Sequence, residues 1–133
     1  MVFERGKHTY GEIMSQGDVW KATLEGFQSQ AAAGQAVLQK PFAQTLFTGC
    51  GSTYYLSQAA ASAWQSLTGR LGRGVPASEL WLQPQSVLTS QEALLIAVSR
   101  SAETTETLRA VEVFKRRAGD NVLTVTVYGD REL

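Results

Sequence analysis

Apolar residues in this chain fall into runs of two kinds, some recurring at helical spacing and some continuous. The first dozen residues show neither pattern and are expected to form an arm. From Asp18 to about Gln39, Trp20, Leu24, Phe27 and Ala31 recur every three or four residues, which predicts an amphipathic helix ending before Pro41. "TLFTG" at 45–49 is a short unbroken apolar run closed by glycine, the mark of a buried strand. Leu56, Ala59, Ala60, Ala63, Trp64 and Leu67 then line one predicted helix face, and the helix stops at the "TGRLGRG" loop. "SELWL" at 78–82 reads as a strand, and a proline-containing polar stretch, "QPQSVLTSQ", follows it. "ALLIAVS" at 93–99 is continuously apolar, as expected of a central strand covered on both faces. Leu108, Val111, Phe114 and Ala118 set the inner face of a helix from Thr104 to Ala118, which Gly119 and Asn121 end. "VLTVTVY" at 122–128, rich in β-branched residues, is the last predicted strand.

Strands alternating with helices predict an α/β fold, a three-layer αβα sandwich with a mainly parallel sheet. The pattern divides the chain into an arm and lead-in helix, residues 1–40, and a layered domain, residues 41–133. The tail from Gly129 onward brings no helix to cover the last strand, so the domain is expected to be one part of a longer, two-domain protein.

Composition narrows the function. Apolar residues make up 44% and charged residues 18% of the 133, the balance of a soluble globular chain. Twelve basic residues offset twelve acidic ones, and the one basic triplet, in "FKRRAG", sits at a predicted helix end, where the helix dipole favours it. Nucleic acid is therefore not an expected partner. No apolar run is long enough to span a membrane and the N-terminus lacks a secretory core, so the expected location is cytoplasmic. Cys50 is the only cysteine, so no disulfide forms within one chain and no metal site is expected.

Candidate chemistry collects at two strand-to-helix junctions. "FTGCGSTYYL" places Ser52 and Thr53 after a strand, with Gly49 and Gly51 allowing a tight turn. "AVSRSAETTETL" places Ser99, Ser101, Thr104 and Thr105 after the next central strand. In parallel α/β folds ligands gather beyond the carboxyl ends of strands, where helix N-termini present free N–H groups. Hydroxyls there are either helix caps or donors to an anion such as a phosphate group, and the residues alone leave both readings open. No dinucleotide fingerprint, Walker loop or nucleophile elbow is present, so no nucleotide cofactor is expected.

"GCGSTYYL" followed by "LLIAVSRSAETTETL" resembles the two loops of the sugar isomerase (SIS) domain family, whose usual forms are Cys-Gly-Thr-Ser and Ser-Gln-Ser-Gly-Glu-Thr. "TYGEIMSQGDVWKATL" at 9–24 is similar to the lead-in of the amino-sugar branch. The resemblance implies a phosphosugar-binding SIS-like fold in which Ser52, Thr53, Ser99, Arg100, Ser101 and Thr104 contact the phosphate. Gly49, Gly51, Ala102 and Glu103 would shape the loops. Three departures from the family pattern stand out. Ser52–Thr53 inverts the usual order and keeps both hydroxyls. Ala102 replaces a glycine, which costs roughly 1 kcal/mol if φ is positive there. Arg100 replaces glutamine and is available either to a phosphate or to Glu103 or Glu106.

Moving a proton between C1 and C2 of a sugar phosphate needs a base. The resemblance places that glutamate and a ring-opening histidine in or after a second domain copy, so no catalytic residue is assigned here. His8, the only histidine, lies in the arm. The function implied is phosphosugar binding by the first SIS domain of an amino-sugar-6-phosphate isomerase or deaminase, with glucosamine 6-phosphate or fructose 6-phosphate as ligand. The alternative is a stand-alone phosphosugar-binding or regulatory module. An apolar face left open by half a two-domain protein predicts a homo-oligomer, at least a dimer.

Overall fold

The computed structural model describes residues 6–130 and 133. The first five residues of the expected arm, and residues 131 and 132 of the tail, lie outside it. The chain divides into two compact units, Met1–Lys40 and Pro41–Leu133.

The first unit is helical. Helix α1 (Lys7–Met14) takes up the second half of the expected arm, and α2 (Gln16–Leu38) follows one residue later. Ser15 between them is itself right-handed helical in φ and ψ. The i→i−4 ladder continues through it, with Ser15 N–H donating to the Gly11 carbonyl and Val19 N–H to the Ser15 carbonyl, both at 3.0 Å. The arm carries three glycines among its first seventeen residues, and their weak helix propensity conceals the helix.

The second unit is a parallel sheet between helices. Strand β1 (Gln44–Gly49) leads to α3 (Ser52–Thr68), β2 (Gly72–Pro76), two short helices α4 (Ala77–Leu82) and α5 (Pro84–Val87), β3 (Ala93–Val98), α6 (Thr105–Ala118) and β4 (Val122–Val125). The order across the sheet is β2-β1-β3-β4, all pairs parallel. Every residue of β1 and β3 is buried. Side chains alternate across them, so Leu46, Leu95 and Ala97 pack with Leu80, Ala110, Val111 and Phe114 on the α4–α6 side. Phe47 points the other way and meets Trp64 of α3, ring centroids 6.2 Å apart.

Three expectations are corrected. "SELWL" is not a strand but most of α4, and the strand lies just before it in "GRGVP". That segment lacks β-branched periodicity because α3 crosses it too closely for side chains. A Cβ on Gly72 would stand 2.7 Å from the Ala61 carbonyl oxygen, and one on Gly74 2.6 Å from Gln58 Cα. The last strand ends at Val125, not Tyr128, because the Thr126 hydroxyl bonds the Tyr128 backbone and turns the chain. On α3 the buried residues are Ser57 and Ala61, with Ala60 and Trp64 partly covered, while Leu56, Ala59, Ala63 and Leu67 are exposed. The inner face is thus rotated from the stripe that the leucines suggested.

Candidate functional site

From β1 the chain passes through α3 to β2 on one side, whereas from β3 it passes through α6 to β4 on the other. Strands β1 and β3 are neighbours, with Thr48 beside Ala97. The crevice between their carboxyl ends is therefore the point where strand order reverses, the place in such sheets where ligands bind. Residues 50–53 and 99–104 leave adjacent strands there, from starting points about 5 Å apart across the sheet.

In the first loop Gly51 has φ 60° and ψ −124°, a backbone shape open to glycine and closed to most residues. Gly49 is needed for a different reason, since a Cβ there would lie 2.6 Å from Thr53 Oγ1 and 2.7 Å from the Thr53 carbonyl oxygen. The Thr53 hydroxyl accepts from Cys50 N–H at 3.0 Å and donates to the Cys50 carbonyl at 2.9 Å. It holds the loop closed. Ser52, the first residue of α3, is exposed, and α3 begins without a side-chain cap.

The second loop gathers three hydroxyls. Thr104 occupies the N-cap of α6 but makes no side-chain cap bond. Its Oγ1 lies 3.4 Å from Ser99 Oγ and 3.5 Å from Ser101 Oγ. Ser99 Oγ accepts from Ala102 N–H at 3.2 Å and Ser101 Oγ from Glu103 N–H at 3.3 Å, so the hydroxyl protons are shared among the three side chains of the cluster. Ser99 is buried and forms the floor, while Ser101 and Thr104 are half-buried. Ala102 is 1% exposed with φ 58°, so the alanine keeps the left-handed turn at the strain cost foreseen for it. Arg100 is exposed and, among the described residues, forms no ion pair with Glu103 or Glu106. Glu103 is exposed in the same loop.

Sequence reasoning missed Thr126. Its hydroxyl donates to the Arg100 carbonyl at 3.4 Å, and Val127 N–H reaches the same oxygen at 3.4 Å, so the end of β4 props up the second loop. Nothing in a β-branched run distinguishes that threonine before strand order is known. His8 is exposed on α1. Among the described residues no cluster of three or more His, Cys, Asp or Glu side chains could hold a metal, and no helix is long and apolar enough to cross a membrane.

A cavity of about 400 Å³ lies elsewhere, lined in part by Ser90, Gln91, Arg116 and Arg117. It sits at the amino-terminal edge of β3 and contains none of the loop hydroxyls. Its chemistry has a local explanation. Thr89 and Ser90 are bonded internally to Gln44 and Glu92, and the arginines stand at the negative end of α6. The crevice, marked by its topology and its converging hydroxyls, is the candidate site.

A parallel sheet with helices on both faces and short hydroxyl donors clustered at its switch point defines the class as a layered α/β domain with a candidate ligand crevice. The SIS domain model matches residues 42–130, and the chain belongs to that family. Tagatose-6-phosphate ketose/aldose isomerase from Escherichia coli is similar in fold, with 24% identity and TM-score 0.78 over 95% of this chain and 35% of that one. Glucosamine-6-phosphate deaminase from Thermotoga maritima is 28% identical, with TM-score 0.66 over 89% of this chain and 34% of that one. The chain thus spans about a third of the length of these structures. Comparison with curated proteins finds no match.

Proposed function

We propose that residues 41–133 are the first phosphosugar-binding SIS domain of an amino-sugar-6-phosphate isomerase or deaminase, preceded by the lead-in of residues 1–40. The observation that carries this reading is Thr104, an N-cap residue whose hydroxyl leaves the helix uncapped and turns to Ser99 and Ser101. A phosphate seated there would receive protons from Ser101 and Thr104, N–H bonds from the first turn of α6, and a further hydroxyl from Ser52. Ser99 supports them from beneath. Thr53 contributes by holding its loop, and the exposed Arg100 in the second loop is available to supply the charge that the hydroxyls lack. Both named neighbours act on sugar 6-phosphates, and this supports the same ligand class here. The crevice residues bind and orient. None of them is assigned as the base for transfer between C1 and C2, which would come from the remainder of a longer protein.

Calorimetry with glucosamine 6-phosphate and fructose 6-phosphate, with inorganic phosphate for comparison, tests the reading. The sugar phosphates are expected to bind more tightly than phosphate, and Ser101→Ala to weaken them about tenfold, the worth of one charge-assisted hydrogen bond. Equal affinity for all three ligands, or none for any, would remove the phosphosugar assignment.

A further inference from the structure

The cavity at the amino-terminal edge of β3 brings two arginines together. About 400 Å³ in volume, it is bordered by Thr89, Ser90 and Gln91 from the loop before β3 and by Arg116 and Arg117 from the last turn of α6. Leu88 and Ala118 complete the lining and pack against the core, which anchors both segments. The loop is also held by Gln44, a side chain only 2% exposed. Gln44 Oε1 accepts from the Thr89 hydroxyl at 3.0 Å, and Gln44 Nε2 donates to the Ser90 carbonyl at 3.4 Å. Ser90 Oγ accepts from Glu92 N–H at 3.0 Å. The cavity is therefore built before any ligand arrives, and no carboxylate lines it.

We propose that this cavity is a second anion site, for a small phosphate monoester, at the opposite end of the sheet from the crevice. The negative end of α6 explains positive charge in its last turn, but not where that charge is directed. Lys115 belongs to the same turn and does not border the cavity. The two residues that do are arginines, whose planar donors meet phosphate oxygens two at a time. Two guanidiniums also outweigh the roughly half charge of a helix end, so the cavity is positive. Arg116 meets Glu112 only at 3.9 Å, and that carboxylate is already bonded to Arg109 at 3.0 Å. Among the described residues the side chains of Arg117 and Gln91 have no hydrogen-bond or ion-pair partner. The volume lies within the roughly 300–1,000 Å³ of small-molecule sites and exceeds what a bare phosphate fills. Ser90 and Gln91 can then meet the polar body of an ester. The six residues of β3 separate cavity from crevice by about 20 Å, so one small ligand cannot occupy both.

The test reads both places at once in the full chain. Backbone amide NMR signals are followed while glucosamine 6-phosphate, adenosine monophosphate or inorganic phosphate is added at constant ionic strength. The Ser90 and Gln91 signals are expected to shift and saturate, at lower concentration with at least one ester than with inorganic phosphate, and the tighter ester separates a sugar from a nucleoside as the body. Arg116→Gln with Arg117→Gln is expected to weaken this response about tenfold and to leave any response at Ser101 and Thr104 unchanged. Both arginines are exposed, so the glutamines leave the fold intact. Ser101→Ala should have no effect at Ser90 and Gln91, and neither should Lys115→Gln, which removes a charge outside the lining. Failure of the crevice reading shows at Ser101 and Thr104, and failure of the cavity shows at Ser90 and Gln91. Unmoved Ser90 and Gln91 signals at millimolar ester, a response that survives the double substitution, one that Lys115→Gln weakens equally, or one as tight for inorganic phosphate would overturn the proposal.

Discussion

At the scale of single residues, Thr104 separates the two roles that a hydroxyl before a helix can play. A capping threonine stabilises by about 1 kcal/mol, whereas Thr104 makes no cap bond and faces two serine hydroxyls. Thr104→Val keeps the shape and removes the hydroxyl. We expect it to change unfolding free energy by less than about 0.5 kcal/mol while weakening sugar-phosphate binding about tenfold, measured by urea denaturation beside calorimetry. A stability loss near 1 kcal/mol with unchanged affinity would make Thr104 a cap after all. The hydroxyls themselves were legible in the sequence, as was the positive φ at Ala102, because the family pattern places glycine there. The division of labour within them was not. Ser52 and Thr53 are adjacent letters, yet only the backbone decides that Thr53 folds back onto Cys50 and Ser52 does not.

At the scale of elements, burial decided what could be read. Strands β1 and β3 are covered on both faces and appear in sequence as unbroken apolar runs. Strand β2 was illegible because its composition answers to the helix lying on it, not to strand propensity. Gly72 and Gly74 are required by the approach of α3, so the residues that announce a loop in isolation are here the condition for a strand. Gly74→Ala would force its methyl group against Gln58 Cα and N, at 2.6 and 2.9 Å. Neither is the end of a flexible side chain, so helix or strand must move. We expect a loss of roughly 1–3 kcal/mol, seen as a fall in melting temperature of at least ~4 °C. Gly129→Ala, with no heavy atom within 4 Å and no positive φ, is the control and should leave the melting temperature unchanged. Equal melting temperatures for Gly74→Ala and the parent chain would mean that α3 does not lie this near β2.

At the scale of the whole molecule, the two units divide the tasks. The hydrophobic core of the second unit runs from Leu46 through Phe114 to Val122 and Leu133. The hydroxyl cluster and the strand ends that hold it also belong wholly to the second unit. The exposed apolar residues Tyr10, Ile13, Trp20, Leu24 and Phe27 belong to the first. Residues 41–133 are therefore expected to fold without the helices before them, to unfold in urea in one cooperative transition, and to keep the sugar-phosphate affinity of the full chain. The piece also loses the exposed Trp20 and Phe27, apolar surface that favours association, and is expected to associate less than the full chain. The apolar surface it retains on α3, at Tyr55, Leu56 and Leu67, and along the edge strand β4, at Val125, is the opposing influence. An open strand edge and uncovered leucines favour association. Sedimentation of the piece across a concentration series distinguishes the two contributions. A single monomer boundary at all concentrations, beside one that shifts for the full chain, assigns association to α1 and α2, and a boundary that shifts for the piece assigns it to the sheet unit itself. Broad, non-cooperative unfolding would show instead that the lead-in helices are part of the fold, and that the core inventory of the second unit understates what holds it together.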